Sequence, residues 1–217
     1  MSQKIWSWIV FTLSAGGYVP VIIGGLEHPA EINVATYSLW FVLTGTMFYA
    51  MYKMRQDGWV MPLGWFFGNG CILVTAFFLD GSTFNLTATE ISALYGLVLT
   101  IVIWGTAWKV TKKSEPRILL LGTIMSDIGS YYPQLKQYLL PHETPTDWML
   151  LGWGMFLAGA LCNLIFVEEM FTKLQMEPVQ YMQVYKEPKR TLLIFEKSVL
   201  SAENIILITI TILVMIR

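Results

Sequence analysis

Seven stretches of this chain, at 5–26, 34–53, 58–79, 88–109, 117–139, 147–170 and 192–216, are apolar over about the 20 residues a helix needs to cross a ~30 Å hydrocarbon layer. None alternates with a period of two, so each reads as a helix that satisfies its own backbone hydrogen bonds within lipid. The seventh is the least uniform, because Glu196, Lys197 and Glu203 fall in its first half. Charged residues make up 13% of the chain, against about 25% in soluble domains. Lipid is therefore the expected solvent. The first stretch follows Lys4 as a signal peptide would, but it carries Gly16, Gly17 and Pro20 and no small-x-small cleavage site. It is expected to persist as a span.

Within these stretches one pattern returns. Gly16-Gly17-Tyr18-Val19-Pro20 is followed 113 residues later by Gly129-Ser130-Tyr131-Tyr132-Pro133, and at the same offset Trp40 falls on Trp153 and Gly45 on Ala158. Chance alignment of unrelated apolar helices is the alternative. Read as a duplication, the pattern is parallel, since an even number of spans separates the two starts. The expected fold is then an all-α membrane protein with seven transmembrane helices as two parallel three-helix repeats joined by a linker helix (3+1+3). The first repeat covers 1–79, the linker 80–116 and the second repeat 117–217, with a polar cytoplasmic insertion near 171–191. Folds of this kind place a solute site between the halves near the midplane.

Basic residues set the expected orientation. Lys4, Lys53, Arg55, Lys109, Lys112, Lys113, Arg117, Lys173, Lys186, Lys189, Arg190 and Lys197 fall on one side of a seven-span chain, and only Lys136 and Arg217 on the other. The positive-inside rule puts the amino terminus in the cytoplasm and the carboxyl terminus outside. A net charge of −1 gives no basic surface for nucleic acid. Cys71 and Cys162 sit alone in apolar runs, and no spacing suggests a metal site or cofactor. His28 and His142, each beside a proline in an outer loop, read as incidental, with a pH-sensing pair as the alternative. The expected partners are the bilayer and a small polar solute; the sequence does not decide for or against a homo-oligomer.

Tyr131-Tyr132-Pro133-Gln134-Leu135-Lys136, followed by a short polar loop and Trp153 in the next helix, resembles the motif of the PQ-loop superfamily. That superfamily includes SWEET-type sugar carriers and lysosomal amino-acid exporters of the cystinosin type. The first copy departs from it, with Val21 after Pro20. The resemblance implies alternating-access transport of a sugar, amino acid or vitamin-like solute. It also implies a pair of substrate-binding asparagines, for which Asn69 and Asn204 are the candidates and Asn163 a further one.

Other candidates come from the residues themselves. Asp127 lies about ten residues into the fifth stretch, where a charge costs about 2.5–3.5 kcal/mol on insertion scales and must face a cavity or a partner. Thr123, Asp127, Ser130, Tyr131 and Gln134 fall on one face of that helix, so Asp127 is a candidate for proton coupling or for binding a cationic or hydroxylated group. Ser14 is its counterpart in the first copy. Pro20, and Pro133 with Gln134, are candidate hinges, since proline lacks an N–H and bends the turn before it. Trp40 and Trp153 are candidates for stacking on a flat solute, and Tyr132 for donating a hydroxyl to it. Each has a plainer role as packing, kink or helix-to-helix glue.

No hydrolase triad, phosphate loop or zinc motif is present in the sequence, so an enzyme is not expected. The rival readings are a seven-helix receptor or sensor without a Schiff-base lysine, and a membrane scaffold that docks a partner through 171–191.

Overall fold

A computed structural model describes residues 3–29, 32–53, 59–79, 84, 86–111, 116–131, 135, 139, 146–176 and 188–216, with side chains from residue 5 onward except for 166–199. Tyr132, Pro133, Gln134, His142 and the 177–187 part of the expected insertion lie outside the described residues. The described elements are all helices: α1 Gln3–Gly16, α2 Tyr18–Glu27, α3 Val34–Lys53, α4 Val60–Phe77, α5 Ala88–Thr111, α6 Pro116–Ser130, α7 Asp147–Met176 and α8 Pro188–Ile216.

Five of these segments are long and apolar enough to span a bilayer: Ile5–Glu27 (α1 with α2), Val34–Lys53, Val60–Phe77, Ala88–Thr111 and Asp147–Ile165. Large apolar side chains such as Leu94, Val98, Val102 and Ile206 stay exposed on the outside of the bundle, where lipid rather than water would meet them. The chain is an all-α, multi-pass membrane protein. The remaining two expected spans are shorter. The described part of α6 has 15 residues, and the apolar part of α8 is Leu200–Ile216.

The first expected span is broken, one turn ahead of Pro20. α1 ends at Gly16, Gly17 forms a turn, and α2 starts at Tyr18. Proline has no N–H to give the carbonyl four residues earlier, which here is Gly16. Gly17 keeps right-handed helical angles and still donates to the Leu13 carbonyl at 3.1 Å, so the break is a bend and the axis continues. α6 ends at Ser130, the position equivalent to Gly17, and Leu135 donates to the Tyr131 carbonyl at 3.0 Å beyond it.

Packing partners recur in pairs. α3 packs on α4 and α7 on α8; α1 packs on α4 and α6 touches α8; α3 packs on α6 and α7 on α1 and α2. Glycines allow the closest of these crossings. A Cβ on Gly152 of α7 would lie 2.7 Å from the Gly17 carbonyl oxygen, and one on Gly64 of α4 would lie 3.2 Å from the Phe11 carbonyl. Small residues at such points bring backbones within dispersion range.

α5 stands apart, packed mainly on α6 with only 17% of its apolar window buried. Its start is fixed by a capping box: the Thr87 N–H donates to Glu90 Oε2 at 2.8 Å, and the Glu90 N–H returns to Thr87 Oγ1 at 3.4 Å. Glu90 is fully buried and also accepts a hydrogen bond from the Thr36 hydroxyl of α3, which ties the first turn of α5 to the bundle.

Candidate functional site

Where α2, α3, α4, α6, α7 and α8 converge, Tyr18, Trp40, Thr44, Trp65, Asn69, Asp127, Tyr131, Trp153, Phe156 and Ile208 enclose a cavity of about 30 Å³. A site of this size has room for a water molecule and little more. Its walls are mostly aromatic and its polar groups few, the usual make-up of a small-molecule site.

The rings form a continuous chain. Tyr18 meets Phe156 at 4.6 Å between centroids, Phe156 meets Trp153 at 5.7 Å, and Trp153 meets both Tyr131 at 6.0 Å and Trp40 at 6.1 Å. Trp40 and Tyr131 close the circuit at 5.4 Å. Trp40 and Trp153 were expected to sandwich a flat solute. In this conformation they meet each other edge to face, with planes at 83°, and no solute fits between them.

Asp127 is buried and lines the cavity. It is held by the Ser130 hydroxyl, which donates toward the Asp127 carbonyl at 2.6 Å and its carboxyl Oδ1 at 3.0 Å. The same hydroxyl accepts the Trp40 indole N–H at 2.6 Å. A three-residue relay therefore links α3 to the acid of α6. Ser14, the counterpart of Asp127, is also fully buried, and its hydroxyl has no hydrogen-bond partner.

The three asparagine candidates separate. Asn69 is fully buried on the cavity wall, beside the Tyr18 ring that covers Gly68, and its amide faces the Tyr18 hydroxyl just short of full hydrogen-bond geometry. Asn204 sits behind the wall: its Oδ1 accepts the Tyr131 hydroxyl at 3.1 Å, and its Nδ2 donates to the Leu200 carbonyl at 2.9 Å. Asn163 is away from the cavity and donates to the Ser201 hydroxyl at 2.8 Å, which joins α7 to α8. The structure thus brings Asn69, Asp127, Trp40 and Trp153 together and leaves Asn163 as glue. Pro20 is buried in α2.

Several groups escaped the sequence reading. Trp65 lies four residues before Asn69 on α4, a spacing that puts both on one helix face. Thr44 and Phe156 bear the same relation to Trp40 and, at three residues, to Trp153. Glu203 was read only as a charge weakening the seventh span. Both its carboxyl oxygens are sealed from solvent and without a hydrogen-bond partner, and the group lies within electrostatic reach of Asp127 and the Tyr131 hydroxyl.

A larger groove of about 340 Å³ runs between α5 and α6 past Ser92, Gly96, Thr100, Gly122 and Ser126. Its hydroxyls are engaged by their own helices, Ser92 to Ala88, Thr100 to Gly96 and Ser126 to Gly122. Among the described residues no ionisable group lines it. The smaller cavity, with a buried acid and a buried amide on its wall, is the candidate site. Comparison of the chain with protein families, curated proteins and solved structures finds no match.

Proposed function

We propose that this protein is a membrane carrier that moves a small polar solute by alternating access. Its two half-bundles would be α1–α4 and α6–α8, with α5 as the linker, in the 3+1+3 arrangement of PQ-loop and SWEET-like proteins. One observation carries the reading. Trp40 and Trp153, equivalent under the 113-residue offset, meet over a buried chamber that holds Asp127 and Asn69. The paired helix contacts support it, since α3 on α6 and α7 on α1 and α2 are the same contact made from each half.

In this reading the closed chamber is an occluded state. Parting of the Trp40 and Trp153 rings makes room for the solute, and the bend at Gly16–Gly17 ahead of Pro20, with Pro133 and Gln134 as the matching hinge expected from the sequence, lets the halves move. Asp127 and Asn69 bind the solute, and Asp127 serves proton coupling where transport is driven. The amino terminus is cytoplasmic and the carboxyl terminus outside, following the basic residues.

The test is uptake by proteoliposomes holding the full chain, against labelled sugars, amino acids, nucleosides and amines. Saturable uptake of at least one class, lost in Asn69→Ala and Asp127→Asn, is the expected result. Vesicles with folded, inserted protein that accumulate no member of the panel above protein-free controls would overturn the reading.

A further inference from the structure

Ser130 joins a ring of the chamber wall to the chamber acid. Its hydroxyl accepts the Trp40 indole N–H at 2.6 Å and lies 3.0 Å from Asp127 Oδ1 and 2.6 Å from the Asp127 carbonyl oxygen. All three side chains are buried, where linked hydrogen bonds polarise one another more than they do in water. A hydroxyl has one proton to give and two lone pairs to receive. Ser130 therefore serves one of its acceptors fully at a time, and the charge on Asp127 decides which.

A carboxylate at Asp127 can only accept. It draws the Ser130 proton to Oδ1 in a charge-assisted bond, and an oxygen that donates to an anion becomes a better acceptor for the indole N–H. A proton added to Oδ1 reverses that bond. The acid O–H then donates to Ser130 Oγ, and the Ser130 proton turns to the Asp127 carbonyl. The indole N–H shares Oγ with a second donor and is held less tightly. A proton added to Oδ2 instead still removes the charge that strengthened the chain, so the sign is the same. At the equivalent positions of the first copy stand Ser14 and Gly17, which have no carboxyl to carry a charge.

We propose that Ser130 is a positioning residue that transmits the protonation of Asp127 to Trp40: a charged Asp127 holds the indole against α6, and a neutral one loosens it from its edge-to-face contact with Trp153. The inference rests on the proposed carrier for one point, that parting of these rings admits the solute. Other titratable groups stand nearby. Tyr18 of α2, Tyr131 just past α6 and Glu203 of α8 lie within electrostatic reach of Asp127, and Tyr37 of α3 within reach of Tyr18. Among the described residues, α4 and α7 bring no ionisable group to the cavity wall, and Glu90 of α5 is taken up by Thr36 and Thr87.

The experiment follows the Trp40 indole N–H by proton–nitrogen NMR of the full chain in lipid nanodiscs, its resonance being the one missing from Trp40→Phe. Infrared absorption of the protonated carboxyl, taken as the difference from Asp127→Asn, follows the acid over the same pH scan. Acidification is expected to move the Trp40 resonance upfield, as a weakened hydrogen bond does, in step with growth of the carboxyl band. Asp127→Asn should abolish the movement and Glu203→Gln should preserve it. Ser130→Ala should keep the step in the carboxyl band while the Trp40 resonance ceases to follow it, which a merely structural hydroxyl would not predict. Ser130→Thr, which keeps a hydroxyl, should restore the link. A Trp40 resonance that ignores pH in the unaltered protein overturns the proposal. So does one that still follows pH in Asp127→Asn, or that stops following it in Glu203→Gln; none of these results needs a Ser130 variant to fold. A folded Ser130→Ala whose Trp40 tracks the acid as before overturns it too. Uptake separates the two readings. A pH-linked Trp40 in a protein that takes up no solute keeps this assignment and sinks the carrier, and saturable uptake with a pH-blind Trp40 does the reverse.

Discussion

The indole rings of Trp40 and Trp153 touch edge to face, 6.1 Å apart between centroids, although the residues are 113 positions apart in the chain. Trp40 is fixed from the other side by its N–H bond to Ser130, and Ser130 by its own contact with Asp127. Rotation of one indole therefore has to disturb both the facing ring and the chamber acid.

Ser130→Ala leaves the buried Trp40 N–H without its acceptor, an expected loss of about 1–3 kcal/mol in stability. Trp40→Phe removes the donor as well as ring area. In a double-mutant cycle the combined variant should lose less than the sum of the two. Thermal unfolding in detergent measures all four corners; strict additivity would mean the bond contributes nothing.

Gly152 and Gly154 lie two residues apart on α7 and should respond oppositely to alanine. A Cβ at Gly152 meets the Gly17 carbonyl at 2.7 Å, a backbone atom that cannot rotate aside, while one at Gly154 meets nothing within 4 Å. Gly152→Ala is expected to lower stability by about 1–3 kcal/mol through overpacking. Gly154→Ala should be neutral or raise it by up to about 1 kcal/mol through helix propensity. Unfolding midpoints of the two variants, compared side by side, decide the matter.

Glu90 caps α5 and grips Thr36. Glu90→Ala removes both, with an expected loss of about 1–3 kcal/mol. The damage should be local: hydrogen exchange should quicken over the first turns of α5 and little elsewhere. A uniform change across the bundle would contradict this.

Orientation is testable with two single cysteines in a Cys71→Ser, Cys162→Ser background. His28 follows α2 and Lys53 ends α3, so one span separates them. The charge bias predicts that a membrane-impermeant maleimide applied outside labels His28→Cys and leaves Lys53→Cys unlabelled. Labelling in the opposite sense would reverse the proposed sidedness. Labelling of both from one side would deny that α3 crosses.

What the sequence disclosed depended on whether the cause was local. The bend at Gly16–Gly17 was legible because Pro20 lacks an N–H wherever it sits. The burial of Asp127 was legible because a carboxyl amid apolar residues has to be sheltered. Trp65 beside Asn69 is readable from a four-residue spacing on one helix face. Glu203 was harder, since a charge near the start of a marginal apolar run looks like a helix end in the headgroup layer. Its nearness to Asp127 is set by how α8 packs. The bonds from Asn163 to Ser201 and from Tyr131 to Asn204 link positions 38 and 73 residues apart. Such pairings leave no local signature, so asparagines alike on paper divided into one at the wall, one behind it and one elsewhere.

Ser14 of α1 and Asp127 of α6 are related by the 113-residue offset, both are buried, and only one of them can carry charge. Polarity in the interior is thus lopsided, since the acid on the cavity wall comes from α6. Under the proposed function, a guest with one charged end and one greasy end would lodge in a single orientation, head toward α6.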